Sequence, residues 1–184
     1  DTTIYSGQEG LATGIARVKD KLITILDFEK ILADISPDKS IKISDIDKLG
    51  ERKDSNKPIL LAEDSPLLEK LLIECLHKSH YTNTTMCTDG KHAWDTLQEY
   101  KNQPGAIEDK VSCIITDIEM PKMDGHRLLK LIRDDEELKH IPVIIFSSLI
   151  NDEMRLKGER LGATAQITKP EIANLVSLID KYIL

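Results

Sequence analysis

From residue 58 onward, short β-branched apolar runs alternate with stretches whose apolar residues recur every three or four positions. The runs at 59–62, 82–87, 111–115, 142–146 and 164–168 predict buried strands, each bounded by polar turn residues. Between them, Leu68, Leu71, Leu72, Cys75 and Leu76 fall on one helical stripe. So do Leu128, Leu131 and Ile132, and later Ile172, Leu175, Val176 and Ile179. A helix through Trp94 and Leu97, one over 125–139 and a more polar one over 152–161 complete the pattern. Ser65 and Pro66 supply an N-cap and a proline at the first helical position, and Asp89-Gly90 opens the second helix. Strict alternation of strand and helix predicts βαβ units, hence an α/β fold with a doubly wound, five-stranded parallel sheet. The loop 101–110 is longer than such a connection needs.

The first third of the chain reads differently. Residues 1–12 are polar and turn-rich and predict no element. Residues 13–18 and 21–26 alternate apolar and polar on two arms separated by Lys19-Asp20, the pattern of a β-hairpin. Asp27 stands as N-cap ahead of a helix at 28–32. Residues 34–57, with Ser36-Pro37 and several lysines, read as a linker holding a short helix near 44–49. A hairpin by itself is marginal in water. Its strands are therefore expected to pair with missing sequence, with the second domain, or with another chain, as in a homodimer through the hairpin.

Composition narrows the function. At 184 residues, 40% hydrophobic and 31% charged, the chain has room for one full domain and a fragment. No apolar run is long enough to cross a membrane, so membrane insertion is not expected. A net charge of −7 argues against nucleic acid and suits a cation site and protein partners. Cys75, Cys87 and Cys113 have no paired spacing and read as reduced core thiols of a cytoplasmic protein.

A doubly wound sheet places the carboxyl ends of its strands along one edge, where ligands bind. Four predicted ends carry Glu63-Asp64, Asp117, Ser147 and Lys169, whereas the end at Cys87-Thr88 carries nothing comparable. Singly, each has a plain structural role: helix-capping acids, a capping serine, a surface lysine. Together they make a site. A carboxylate is a nucleophile toward phosphorus, giving an acyl phosphate. Clustered acids repel one another, and a hard divalent cation relieves the repulsion; Mg²⁺ fits, since it leaves positions open for phosphoryl oxygens. Lys169 offers a mobile point charge to a phosphoryl oxygen, and Ser147 a hydroxyl donor.

The stretch Asp117-Ile-Glu-Met-Pro-Lys-Met-Asp-Gly125 resembles the phospho-acceptor loop of bacterial response-regulator receiver domains, and residues 58–184 as a whole resemble such a domain, of flavodoxin-like topology. The separations among Asp117, Ser147 and Lys169 match that family, and the long 101–110 loop accounts for the wider gap after Glu63-Asp64. The resemblance implies that Asp117 is the phospho-acceptor and that Glu63, Asp64, Asp117 and the backbone carbonyl of Glu119 hold Mg²⁺. It implies that Ser147 and Lys169 bind the phosphoryl group. At the switch position three residues before the lysine, usually an aromatic, this chain has Gln166. Residues 1–33 resemble the last hairpin and helix of a CheW-like coupling domain. The combination resembles CheV-type chemotaxis coupling proteins. That resemblance implies a chemotaxis histidine kinase as phosphodonor, a chemoreceptor as partner, and no turnover of an external substrate. The histidines at 77, 80, 92, 126 and 140 lie in no His-Glu kinase context, so the donor histidine must come from a partner. Two other readings stay open on the residues alone. One is a Mg²⁺-dependent phosphatase of haloacid dehalogenase type, with Asp117 as nucleophile and Glu119 as its second acid. The other is an unphosphorylated pseudo-receiver scaffold.

Overall fold

The computed structural model describes residues 52–148, 150–169 and 171–184, and ahead of them 4–5, 12–18, 21–26, 31, 46, 49 and 50. The chain divides into two compact units, Asp1–Ser40 and Ile41–Leu184. The predicted helices at 28–32 and 44–49 lie outside the described residues, apart from single positions.

In the first unit, β2 (Ala12–Val18) and β3 (Lys21–Leu26) pair antiparallel with Val18 facing Lys21, as the alternation predicts. A third strand, β1 (Ile4–Tyr5), pairs with β2. Two residues are too few to show a period, so this strand had no sequence signal. Leu22 and Ile23, neighbours on opposite faces of β3, are both exposed.

The second unit is built on β4 (Ile59–Ala62), β5 (Thr84–Cys87), β6 (Cys113–Thr116), β7 (Val143–Ser147) and β8 (Ala165–Thr168). All pairs are parallel, and the order is β5-β4-β6-β7-β8. The helices α1 (Pro66–Lys78), α2 (Gly90–Lys101), α3 (Gly125–Asp134), α4 (Asp152–Arg160) and α5 (Ile172–Ile183) make the crossovers. This is the doubly wound, five-stranded α/β fold that the alternation predicts, with the order of the flavodoxin type.

The central strands β4, β6 and β7 are buried at every position because both sheet faces are covered. Ile59 and Leu61 of β4 face one layer, with Leu68, Leu72 and Leu76 of α1 and Leu175, Val176 and Ile179 of α5. Leu60 and Ala62 face the other, with Ala93 and Leu97 of α2 and Leu128, Leu129 and Ile132 of α3. Each buried aliphatic side chain contributes about 1.5–3 kcal/mol. The three cysteines are buried and free, and burial pushes the Cys75 and Cys113 thiols up to about 12, so they stay protonated. Among the described residues, no helix is long and apolar enough to cross a membrane.

One predicted helix end differs by more than a turn. The third helix stops at Asp134, five residues before the predicted end at 139. Asp135 turns extended there, and its carboxylate accepts from the Lys101 ammonium and the Glu137 N–H. Arg133 then holds the following turn by donating to the carbonyls of Lys139 and Ile141. The long loop has its own order: the Lys110 ammonium donates to the carbonyls of Tyr100, Gln103 and Gly105.

The segment before β4 is tied to the far edge of the sheet. Arg52 donates twice to Asp180 of α5 and once to the Ser79 carbonyl, and the Tyr81 hydroxyl donates to Asp180 at 2.6 Å. Ser55 bridges to Tyr81 in parallel fashion. Burial pushes the Asp180 carboxyl up, but the hydrogen bonds from Arg52 and Tyr81 outweigh it and hold it below the usual value of 3.8. A lowered carboxylate stabilises the fold above its ordinary pKa, and that stability is lost as pH falls through the lowered value. Asp180→Asn is therefore expected to cost about 2 kcal/mol at neutral pH. Urea unfolding should show the gap to wild type closing on acidification below 3.8; a gap independent of pH would show that the carboxylate charge is not what matters.

Candidate functional site: an acidic cluster bridged by lysine

The site lies at the carboxyl edge of the sheet, and backbone bonds between adjacent strand ends set its frame. The Glu63 N–H donates to the Cys87 carbonyl, the Asp117 N–H to the Ala62 carbonyl, and the Lys169 N–H to the Ser147 carbonyl. Parallel pairing thus extends one residue past each strand, which aligns the side chains that follow. Ser65 caps α1 by accepting from the Leu68 N–H, while its own N–H donates to Glu63 Oε1. The turn between strand and helix therefore also orients the first acid.

Glu63, Asp64 and Asp117 each offer a carboxylate oxygen within 4.8 Å of the others. Lys169 closes the cluster, donating to Glu63 Oε2 at 2.8 Å and Asp117 Oδ2 at 2.9 Å. The three bridged side chains are almost closed to water: 5% exposed for Lys169, 2% for Glu63 and 9% for Asp117. Asp64 stands at the exposed mouth. The Asp117 Oδ1 oxygen accepts from the Ile118 N–H at 2.6 Å. Its carbonyl accepts from the Thr116 hydroxyl and packs against Gly125, where any Cβ would overlap it. Gly125 is thus required by close approach, not by its dihedral angles.

Burial pushes the Glu63 carboxyl up to about 7; Lys169 opposes this and Asp117 adds to it. Asp64 is raised by desolvation and then by the charge of Asp117. Burial depresses Lys169, but Asp117 and Glu63 outweigh it and hold its pKa above the ordinary value. The acids are crowded beyond what one ammonium neutralises. A cluster of hard oxygen donors with surplus negative charge fits a small divalent cation.

The remaining predicted residues are placed as follows. Ser147 is buried at the end of β7, level with Thr168 in the sheet. Glu119 lies two residues past Asp117 and is exposed. Gln166 lies on β8, and its amide donates to the Arg155 carbonyl of α4 at 2.8 Å. Its Oε1 is buried without a hydrogen-bond partner, against Gly158, where a Cβ would collide with the amide. Outside these, Asp89 and Lys122 form an ion pair beside the acceptor loop. The sequence pattern showed Asp89 only as a helix opener, because nothing in the spacing links it to a lysine 33 positions on.

The fold and site together define an open α/β domain that gathers carboxylates and a lysine at one sheet edge. A family model described as the response regulator receiver domain matches residues 59–180, and the chain belongs to that family. It is 31% identical to chemotaxis protein CheV2 of Helicobacter pylori over 179 residues, 95% of this chain and 54% of that protein. It is 32% identical to chemotaxis protein CheY-3 of Vibrio cholerae over 127 residues, 68% of this chain and 91% of that protein. Among solved structures, the Mn(2+)-bound form of response regulator Rcp1 matches with a TM-score of 0.58 and 29% identity, over 68% of this chain and 93% of that one. The chain spans about half the length of the curated CheV relative. It is a receiver homologous to chemotaxis signalling proteins.

Removing the lysine tests the electrostatics directly. Lys169→Met leaves buried carboxylates facing one another, a change that costs about 3 kcal/mol when a buried pair is broken. Glu63 already ionises at a cost as pH rises from 4.5 through about 7, since its folded pKa is raised. The variant's deficit should therefore be greatest above pH 7 and shrink toward pH 5. Thermal melts across that range check it; an unchanged melting temperature at pH 8 would contradict the bridging role.

Proposed function

We propose that this chain is the receiver portion of a CheV-type chemotaxis coupling protein, with Asp117 as the phospho-acceptor. The observation that carries the reading is Lys169 bridging Glu63 and Asp117 within a cluster of three acids. One Asp117 carboxylate oxygen attacks the phosphorus of a phosphohistidine on a chemotaxis kinase. The P–N bond breaks, the imidazole leaves and takes up a proton, and an acyl phosphate forms on Asp117. Glu63, Asp64, Asp117 and the backbone carbonyl of Glu119 would hold Mg²⁺. When bound, the ion offsets charge on the phosphoryl oxygens, which is the largest part of such catalysis. Lys169 exchanges a carboxylate oxygen for a phosphoryl oxygen, and the Ser147 hydroxyl donates to another. That a similar response regulator has been solved in a Mn(2+)-bound form supports binding of a divalent ion.

Gln166 takes the place of an aromatic switch. Its hydrogen bond to the Arg155 carbonyl ties β8 to α4, so the readout is a rearrangement of hydrogen bonds around α4. Residues 1–33 are the C-terminal remnant of a CheW-like coupling domain, 34–57 the linker with its short helix, and 58–184 the receiver. In support, similarity to the CheV relative covers 95% of the chain, which takes it beyond the matched receiver residues into the antiparallel unit. The chain modulates coupling between a chemoreceptor and its kinase in the cytoplasm. It catalyses its own phosphorylation and dephosphorylation and turns over no external substrate. Pairing of the β2–β3 hairpin with a second copy would give the homodimer.

Incubation with acetyl phosphate and Mg²⁺ is expected to label the wild type with one phosphoryl group per chain. Asp117→Asn should take none while keeping its fold, because an amide is a poor nucleophile. Sustained hydrolysis of a phosphate monoester would instead favour the dehalogenase-type phosphatase. No labelling of the wild type would favour the scaffold.

A further inference from the structure

The end of β5 sends no side chain into the acid cluster, yet it is tied to the loop that leaves Asp117. Asp89, two residues past β5, is 2% exposed at its side chain. One of its oxygens does ordinary capping work, accepting the His92 N–H of α2 at 2.9 Å. The other accepts the Lys122 ammonium at 2.7 Å. A capping acid needs only one oxygen, and a serine would serve as well; the second contact requires a separate account.

Lys122 is an unusual residue for its place. Its φ is +61°, in the left-handed region that non-glycine residues seldom adopt. Its side chain is 69% exposed, so packing does not hold it there. The turn is closed by the Met123 N–H donating to the Pro121 carbonyl at 2.6 Å, and the Lys122 ammonium ties it to Asp89. Beside this pair the Gly90 N–H donates to the Met123 carbonyl at 3.2 Å, and a Cβ on Gly90 would lie 2.5 Å from that oxygen. At the other end of the loop, the Gly125 N–H donates to the Ile118 carbonyl at 2.9 Å. The backbone from Ile118 to Gly125 is thus fastened at its two ends and, through Lys122 and Met123, to α2. Glu119 lies in the span between these fastenings.

We infer that Asp89 and Lys122 are a positioning pair for the phospho-acceptor loop, setting the backbone that carries the Glu119 carbonyl toward the divalent cation. The inference rests on the proposed receiver chemistry, in which that carbonyl is a ligand. A small displacement of a ligand costs affinity even when every ligand is chemically intact. The strand end that contributes no ligand thereby contributes alignment.

Four variants of the full chain test it: Lys122→Met, which keeps the stem and the backbone demand but removes the charge, Lys122→Arg, Asp89→Ser, which keeps a capping oxygen, and the Lys122→Met/Asp89→Ser double variant. Calorimetric titration with Mg²⁺ at 25 °C reads affinity, and hydrogen exchange of the 118–124 amides in the metal-free protein reads the loop. Lys122→Met should weaken Mg²⁺ binding roughly 10-fold and speed exchange in the loop, with Lys122→Arg restoring most of both. Asp89→Ser should match Lys122→Met, and the double variant should be no worse than either single one, since the two act as one contact. Wild-type affinity and exchange in Lys122→Met, or losses that add in the double variant, overturn the pair. Should Asp89→Ser unfold, Lys122→Met, altered at a surface position, still decides. A wild-type chain that binds no Mg²⁺ overturns the proposed function as well, whereas wild-type binding unchanged in Lys122→Met overturns this inference alone.

Discussion

Charge crowding at the sheet edge is the constraint around which this domain is arranged. Three carboxylate oxygens lie within 4.8 Å of one another with one ammonium among them. Left in water, such groups would separate. Here they are held by parallel strands whose ends are bonded to each other one residue beyond the sheet. The raised pKa of Glu63, about 7, measures what the packing imposes. A site of this kind is destabilising in isolation, and the apolar layers on both faces of the sheet offset it. The same surplus of negative charge, carried on hard oxygen donors, fits a small divalent cation.

The topology explains why the crowding is local. In the order β5-β4-β6-β7-β8, β4 and β6 are central neighbours, so Glu63 and Asp117 meet directly. Lys169 comes from the edge strand β8 and reaches across the end of β7 to both acids. Its ammonium lies 6.0 Å from the centre of the Phe146 ring. Lys169 thus links Asp117 to β7 and β8, the two strands that flank α4. That helix is the least anchored of the five: Gly158 is its only buried residue. Gln166 bonds to its backbone and lies over that glycine. A poorly anchored helix next to the site is the element whose position a modest change in contacts can shift.

The opposite edge is built for permanence. Arg52, Tyr81 and Asp180 join the segment ahead of the sheet to the last helix by half-buried, charge-assisted bonds, which are stronger than neutral ones. Ile46, well before the first parallel strand, is buried with the α1 and α5 layer. Residues read along the chain as linker thus share the core of the second unit. A loop between domains would be read from its composition, and composition cannot show that one isoleucine in a polar stretch finds a hydrophobic seat.

What the sequence determined by itself is what depends on period and spacing. The five parallel strands, their alternation with helices, and the hairpin of Ala12–Val18 and Lys21–Leu26 follow from apolar residues at intervals of one, two, three or four. The edge on which Glu63, Asp64, Asp117, Ser147 and Lys169 fall follows too, since parallel strands end on the same side. Local patterns carry that information because helices and strands are local structures. The tertiary structure alone decided the rest. It ended the third helix at Asp134, where Lys101 from another helix holds Asp135. It paired Ile4–Tyr5 with β2, joined Arg52 to Asp180, and brought Lys122 to Asp89. Apart from the backbone pairing of Ile4–Tyr5, these are side-chain contacts between residues far apart in the chain, whose partners no window of sequence contains. The ionisation of Glu63 belongs with them, because burial and the neighbouring charges that set it exist only once the strands are side by side.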